Sequence, residues 1–191
     1  MKIVFTCFFF FVKTFIYSFS QETPFTFKSG AGYYIDIITA DDGPIIWIEG
    51  GYKLHTGFNI NGRISISSLD WAINNGIFKD FKTIQLRQMM DIILSRPVNL
   101  KGKHFLEPGF GFKLKKEYLL KPDISYVYSG GTYYQLTSYS DIFYEIGFTI
   151  CLDYFYQFES NFYLGFRADT NVIWAFGFEG LTVSPLFGFR F

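Results

Sequence analysis

Residues 181–191 read L-T-V-S-P-L-F-G-F-R-F, and every second side chain is apolar: Leu181, Val183, Pro185, Phe187, Phe189 and Phe191. Between them stand Thr182, Ser184, Leu186, Gly188 and Arg190, nearly all small or polar. A repeat of two is the mark of a β-strand with two chemically different faces. The apolar face runs to Phe191, where fraying would expose it in a soluble domain; a strand that faces lipid has no such difficulty. The stretch therefore predicts the closing strand of a transmembrane β-barrel.

The same rhythm recurs upstream. Phe25–Ile37 alternates Phe25, Phe27, Ala31, Tyr33 and Ile35 with Lys28, Gly30, Gly32, Tyr34 and Asp36. Asp41-Asp42-Gly43-Pro44 has turn composition, and Ile45–Leu54 then sets Ile46, Ile48 and Tyr52 opposite Trp47, Glu49, Gly51 and Lys53. Gly57–Ser67 follows a tight connection at His55-Thr56. Arg87–Val98 gives a weaker strand and His104–Lys115 a clear one. Ile142–Tyr154, Asn161–Asp169 and the closing stretch complete eight. Residues 68–86, with Asn74-Asn75-Gly76, the tyrosine-rich residues 116–140 and Asn171–Gly180 break the rhythm and read as loops. The connections after the second, fourth and sixth strands are short, and those after the third and fifth are long. Outer-membrane barrels show this asymmetry, with short periplasmic turns and longer external loops.

Composition agrees. The chain has 191 residues and no formal net charge, which gives no reason to expect a nucleic-acid partner. Aromatic residues form 23% of it, including 26 Phe and 14 Tyr, too many to hide in one small core. Residues 1–20 read as a signal peptide: Met1-Lys2, an apolar run from Ile3 to Val12, then Ser18 and Ser20 near a cleavage site. The barrel domain would occupy 21–191. With Cys7 removed, Cys151 would have no intrachain disulfide partner.

Volume decides which face points inward. An eight-stranded barrel is only just wide enough for its interior side chains. Placing the Phe, Ile, Leu and Tyr set inside would overfill it, so that set faces lipid and the alternative of a soluble lipocalin-like carrier is disfavoured. The other set then puts Glu49, Arg63, Asp91, Lys113, Glu145, Asp153, Arg167, Asp169 and Arg190 in the lumen, along with Lys28, Asp36, Lys53 and Glu107. Unpaired charge is costly in a dry interior, so these residues are expected to form an ion-pair network. Glu49 and Arg63 should face each other across the second hairpin. Tyr33, Tyr52, Tyr144, Tyr154 and Trp174 suit interfacial belts.

The F-G-F-R-F ending, with alternating aromatics up to Phe191, resembles the C-terminal assembly signal of bacterial outer-membrane barrels. Together with the leader and the alternating strands, the chain resembles the small outer-membrane β-barrel family, which includes PorT-like proteins. The resemblance implies location in the bacterial outer membrane, contact with its lipid, and insertion by the barrel assembly machinery through Phe187, Phe189 and Phe191. It implies no activity.

Little in the sequence points to catalysis. A lipid-modifying barrel enzyme needs a serine activated by a histidine near the external face. His55 and His104 both fall at predicted periplasmic turns, whereas Ser138 and Ser140 lie in an external loop. No metal or cofactor set stands out. What remains is a binding surface in the external region that holds Tyr126, Tyr128, Tyr133 and Tyr134, since tyrosine gives large contact area at small entropic cost.

Overall fold

The computed structural model describes residues 25–38, 42–72, 82–128, 132–159, 161–175 and 177–191. Side chains of residues 70–72, 82–84, 121–128 and 132–139 are outside that description, as are the predicted leader and Asn74-Asn75-Gly76. The described elements are antiparallel strands: β1 (Phe25–Asp36), β2 (Asp42–Lys53), β3 (Asn59–Ala72), β4 (Lys82–Ser95), β5 (Val98–Lys101), β6 (His104–Tyr128), β7 (Thr132–Gln157), β8 (Phe162–Ile173) and β9 (Gly177–Arg190). Consecutive strands pair except β4 with β5; β4 and β5 each pair with β6 instead, and β1 pairs with β9. The sheet is thus closed, with no edge running its full length. β5 is a continuation of β4: Ser95 faces Gly109 of β6, and Val98 faces Leu106 further along the same strand. Arg96-Pro97 interrupts the two, leaving eight walls in an up-and-down barrel.

The barrel has two unlike ends. The β2–β3, β5–β6 and β7–β8 connections lie at one end, where β1 begins and β9 finishes and Phe191 N–H donates to the Phe25 carbonyl at 2.9 Å. This is the turn end. The β1–β2, β3–β4, β6–β7 and β8–β9 connections lie at the opposite, loop end. Gly57 and Gly102 hold positive φ of 83° and 62° in two of the tight turns, a conformation that strains any residue with a Cβ.

Side chains alternate as the volume reasoning requires. Ile46, Ile48, Ile64, Met90, Ile92, Phe110, Phe112, Ile150, Phe166 and Phe187 are exposed on the outer wall, whereas Trp47, Glu49, Arg63, Asp91, Lys113, Asp153 and Arg167 are buried within. Phe148 is also on the outer wall, half-covered by the Phe110, Phe112 and Trp174 rings. On β7 the outward set from Tyr144 to Tyr154 covers ten residue steps. At about 3.3 Å per step and a tilt near 40°, that is a band roughly 25 Å high, the height of a bilayer's apolar zone.

The strands run further than the hydrophobic rhythm shows. Asp42, Gly43 and Pro44 begin β2 instead of turning, paired with Ile35, Tyr34 and Tyr33. β3 extends to Ala72 and β4 starts at Lys82, both inside the stretch read as a loop. Residues 116–128 and 132–140 are strand, not loop: β6 and β7 continue as a ribbon in register from Lys116 opposite Tyr144 to Tyr128 opposite Thr132. β8 and β9 likewise consume most of Asn171–Gly180, with a bulge at Asn171/Val172. Alternation of apolar with polar residues marks a strand only where polarity separates its two faces, and backbone pairing does not depend on it; in β3, Leu69 is buried inward within an apolar cluster, so the inner face there carries no polar signature.

Two apolar clusters share the lumen with the charges: Tyr34, Ile45, Leu69 and Met89, and Trp47, Phe155, Tyr163 and Leu186 backed by Phe105. β9 makes room for the inward tyrosines. A Cβ at Gly180 would strike the phenol end of Tyr34 and one at Gly188 the Tyr163 ring, so each phenol packs directly against a glycine of a neighbouring strand.

Candidate functional site

The lumen holds the densest polar chemistry in the molecule, and its residues sort into three tiers. Nearest the turn end, the Lys28 ammonium lies 2.8 Å from Asp153, 3.0 Å from Glu107 and 3.5 Å from Glu49. Arg167 on β8 reaches across to Glu49 on β2, with bonds of 2.6 and 3.1 Å, and grips Asp153 on the adjoining strand at 2.6 and 2.7 Å. Its guanidinium lies 4.2 Å over the Trp47 ring, whose indole N–H donates to Ser184 at 2.9 Å. Glu107 also accepts from Asn59 and Ser95.

In the middle tier, Arg63 donates to Asp91 at 2.9 Å, to Asp169 at 3.0 Å and to Thr149 at 3.1 Å, connecting β3, β4, β7 and β8. Lys113 lies 3.4 Å from Asp91 and donates to Asn171. Towards the loop end, Arg87 meets Asp36 at 2.5 Å and Glu117 at 3.1 Å, and stands 5.4 Å over the Tyr34 ring. Lys115 contacts Glu117, Glu145 and Glu179. Oxygens of those three carboxylates come within 4.8 Å of one another, a spacing that could suit a metal ion. The Lys115 ammonium already touches all three, so the chain supplies its own counter-charge there.

Among the described side chains, six cations in these tiers face nine carboxylates. The acid excess is concentrated in the loop-end tier, where Glu117 and Glu145 retain some exposure to solvent. That distribution is physically reasonable, because an uncompensated carboxylate is tolerated where water reaches it and costly where it does not.

The inward residues read from the sequence do not all meet. Glu49 and Arg63 are partners in register, yet their shortest contacts go elsewhere, to Arg167 and to Asp91. Arg190 lies at the turn end, where its guanidinium meets Gln157 at 3.4 Å, apart from the three tiers. Lys53 is exposed beyond the end of the lumen. The sequence reading misses four charged participants, Arg87, Lys115, Glu117 and Glu179, and the Lys113 partner Asn171; all sit at portions that the sequence presents as loop or strand end. The inward series Gln85, Arg87, Met89, Asp91 is a usable signal for the first of them.

Elsewhere, His55 and His104 both lie at the turn end, with His104 Nδ1 2.7 Å from the Tyr154 hydroxyl. Ser138 and Ser140 are on the loop-end half of β7, so neither histidine shares an end with them. Cys151 is buried in the lumen beside Gly109, where a Cβ would come 2.7 Å from its sulfur. At the turn-end surface, Lys103 donates to Glu159 at 2.9 Å. That bond raises the Lys103 ammonium above its ordinary pKa and holds the Glu159 carboxyl below its own. Phe187 and Phe189 are exposed on the outer wall, and Phe191 is half-buried at the rim. Tyr126 faces Tyr134 and Val127 faces Tyr133 in the ribbon, though these tyrosine side chains are outside the described set.

Comparison with known proteins places the fold. No protein-family model matches the chain, and no curated protein matches it. Solved structures do match. Neisserial surface protein A aligns with a TM-score of 0.59 at 11% identity, covering 87% of this chain and 96% of its own. A major outer membrane protein from Thermus thermophilus gives 0.59 at 11%, over 87% and 99%. Ail, the attachment invasion locus protein of Yersinia pestis, gives 0.52 at 11%, over 90% and 100%. The fold is theirs: a closed, eight-stranded antiparallel β-barrel. At this identity the likeness concerns architecture and carries no residue roles.

Proposed function

We propose that this chain is an integral protein of the bacterial outer membrane, non-enzymatic, acting as a structural element or as a binding protein through its loop end. The observation that carries the reading is the inversion of a soluble protein's plan: a band of exposed aromatic and aliphatic side chains about 25 Å high surrounds a lumen crossed by buried ion pairs. In this reading the turn end faces the periplasm, and Tyr33, Tyr144 and Trp174 mark one interface, with Tyr52 and Tyr154 at the other. Residues 1–20 act as a cleaved signal peptide. Phe187, Phe189 and Phe191 are read by the barrel assembly machinery.

The tiers argue against a porin. Arg167, Arg63 and Arg87 each reach carboxylates on other walls, filling a lumen that eight strands make narrow. The β6–β7 ribbon stands beyond the wall formed with β8, because Gly147 opposite Ile173 is the last β7–β8 pair. It would present Tyr126, Tyr128, Tyr133 and Tyr134 to the outside. Among the structural relatives, one is named a surface protein and another an attachment protein, which accords with such a role.

The test is direct. Cells expressing the protein should yield it only in the detergent-extracted outer-membrane fraction, migrating differently before and after boiling. Purified protein in planar bilayers should show no steady conductance. Extraction without detergent would end the membrane reading; stable channels would end the sealed-lumen reading.

A further inference from the structure

Of the three tiers, the one at the loop end is furthest from charge balance. Among the described side chains, two cations face three carboxylates nearest the turn end, and two face two in the middle. At the loop end Arg87 and Lys115 face four: Asp36, Glu117, Glu145 and Glu179. Water accounts for Glu117 and Glu145, which keep some exposure, but not for Glu179, which is 3% exposed. Both cationic neighbours of Glu179, Lys115 and Arg87, approach its Oε1. Its Oε2 is buried with no hydrogen-bond donor among the described residues.

The backbone is bent to bring that carboxylate in. Gly180 faces Asn171 and Phe178 faces Val172, so Glu179 is the extra residue of the β9 bulge. Alternation from Ser184 through Thr182 and Gly180 would turn Glu179 outward; the bulge instead buries it beside Gly180. Glu145 stands just beyond Gly147, the last β7 residue paired with β8, and faces Lys115 of β6. β8 ends at Ile173, so β7 and β9 bring their carboxylates together with no strand between them. With Glu117 of β6, three walls each direct an oxygen to one place, where these atoms lie within 4.8 Å of one another. Carboxylates so close disfavour one another's charge unless a counter-charge sits among them.

We propose that the loop-end tier binds a divalent cation, calcium by its donor set, among Glu117, Glu145 and Glu179. Arg87 is matched by Asp36 at 2.5 Å. Of the three charges left on the glutamates, the Lys115 ammonium offsets one and a dication offsets the other two. Lys115 is then a permanent neighbour of the ion, not its substitute. The donors are all carboxylate oxygens, hard ligands that suit calcium and not the softer metals bound through imidazole or thiolate. Glu117 and Glu145 reach solvent, so a hydrated ion enters from the loop end and keeps water in the rest of its shell. The bound ion ties β6, β7 and β9 together where β8 has stopped.

Calorimetry tests the site on the full chain, folded in non-ionic detergent, stripped with a chelator and titrated with calcium chloride. Each variant is first shown to be folded by its shifted migration before boiling. The unaltered protein should bind one calcium per chain with a Kd on the order of 10⁻⁴–10⁻³ M, as open extracellular sites do. Glu145→Gln, at a part-exposed side chain, and Glu179→Gln should each weaken binding by at least about tenfold, because affinity follows the charge of the ligand set. Lys115→Met should tighten it, since a like charge beside the ion is gone. Glu159→Gln at the turn end should change nothing. Calcium should raise the urea midpoint of the unaltered protein but not that of Glu145→Gln. Absence of calcium binding to the folded, unaltered chain would overturn the proposal and assign the missing charge to protons. Binding that survives Glu145→Gln at full strength, or that weakens in Lys115→Met, would overturn it as well.

Discussion

The two faces of β7 share one backbone and obey different rules. Thr149, Cys151, Asp153 and Phe155 are buried inward, each against particular partners; Ile150, Leu152 and Tyr154 point outward, to whatever the surroundings provide. Asp153 accepts from both Lys28 and Arg167, and no other side chain could take its place unnoticed. Ile150 has only to be apolar. Interior residues are specified by identity and geometry, outward residues by class.

That contrast is open to attack, most severely from inside. Arg167→Met would leave Glu49 and Asp153 buried without their shared guanidinium, at a cost of about 3–5 kcal/mol. Urea unfolding of the folded barrel in lipid vesicles should show it, and a loss as small as that from Arg190→Met at the rim would refute the distinction between tier and rim. From outside, Phe148→Arg should cost about 2–4 kcal/mol and impair assembly, because the charge enters hydrocarbon at mid-depth. Phe148→Leu should cost less than about 1.5 kcal/mol, since class is kept. Heat-modifiable migration in extracted membranes distinguishes these; normal assembly of Phe148→Arg would mean that the belt does not face lipid.

A smaller effect is expected where space, not charge, is limiting. A Cβ at Gly165 would strike the Tyr154 carbonyl, a backbone atom that cannot step aside. Gly165→Ala should therefore cost about 1–3 kcal/mol through overpacking, measured by the same unfolding assay. Smallest of all is the exposed Lys103–Glu159 pair. The lowered Glu159 pKa means that its contribution is present above the usual glutamate range and is lost as pH falls below it. The raised Lys103 pKa means that its share is present below the usual lysine value and is lost as pH rises past it. Water and salt screen both, so Glu159→Gln should leave the unfolding midpoint unchanged at pH 7.

Legibility follows the solvent boundary. Between about Tyr144 and Tyr154, and at the same depth on other strands, lipid lies on one side and lumen on the other, and alternation reveals strand, face and inward charge together. Beyond that depth polarity no longer separates the faces, since Leu69 is buried inward and Gln88 exposed outward, and the pattern fades. This is why the β6–β7 ribbon reads as loop in the sequence and why Glu117 and Glu179 do not stand out there as inward charges. Asp42-Gly43-Pro44 reads as a turn for another reason, its Asp-Gly-Pro composition, although Gly43 and Pro44 pair with Tyr34 and Tyr33.

The sequence by itself determined the barrel, its count of walls and the direction of its faces, because a period of two under a fixed interior volume admits one solution. Only the tertiary structure decided which charge meets which. Arg63 is level with Glu49 along the hairpin but bonds to Asp91, Asp169 and Thr149. Arg167 finds Glu49 across the lumen instead, at a separation of 118 residues. Hydrogen-bond register is a local property that spacing can supply. Reach across the lumen depends on how the closed sheet brings distant walls within a side chain's length, and no spacing along the chain encodes that distance.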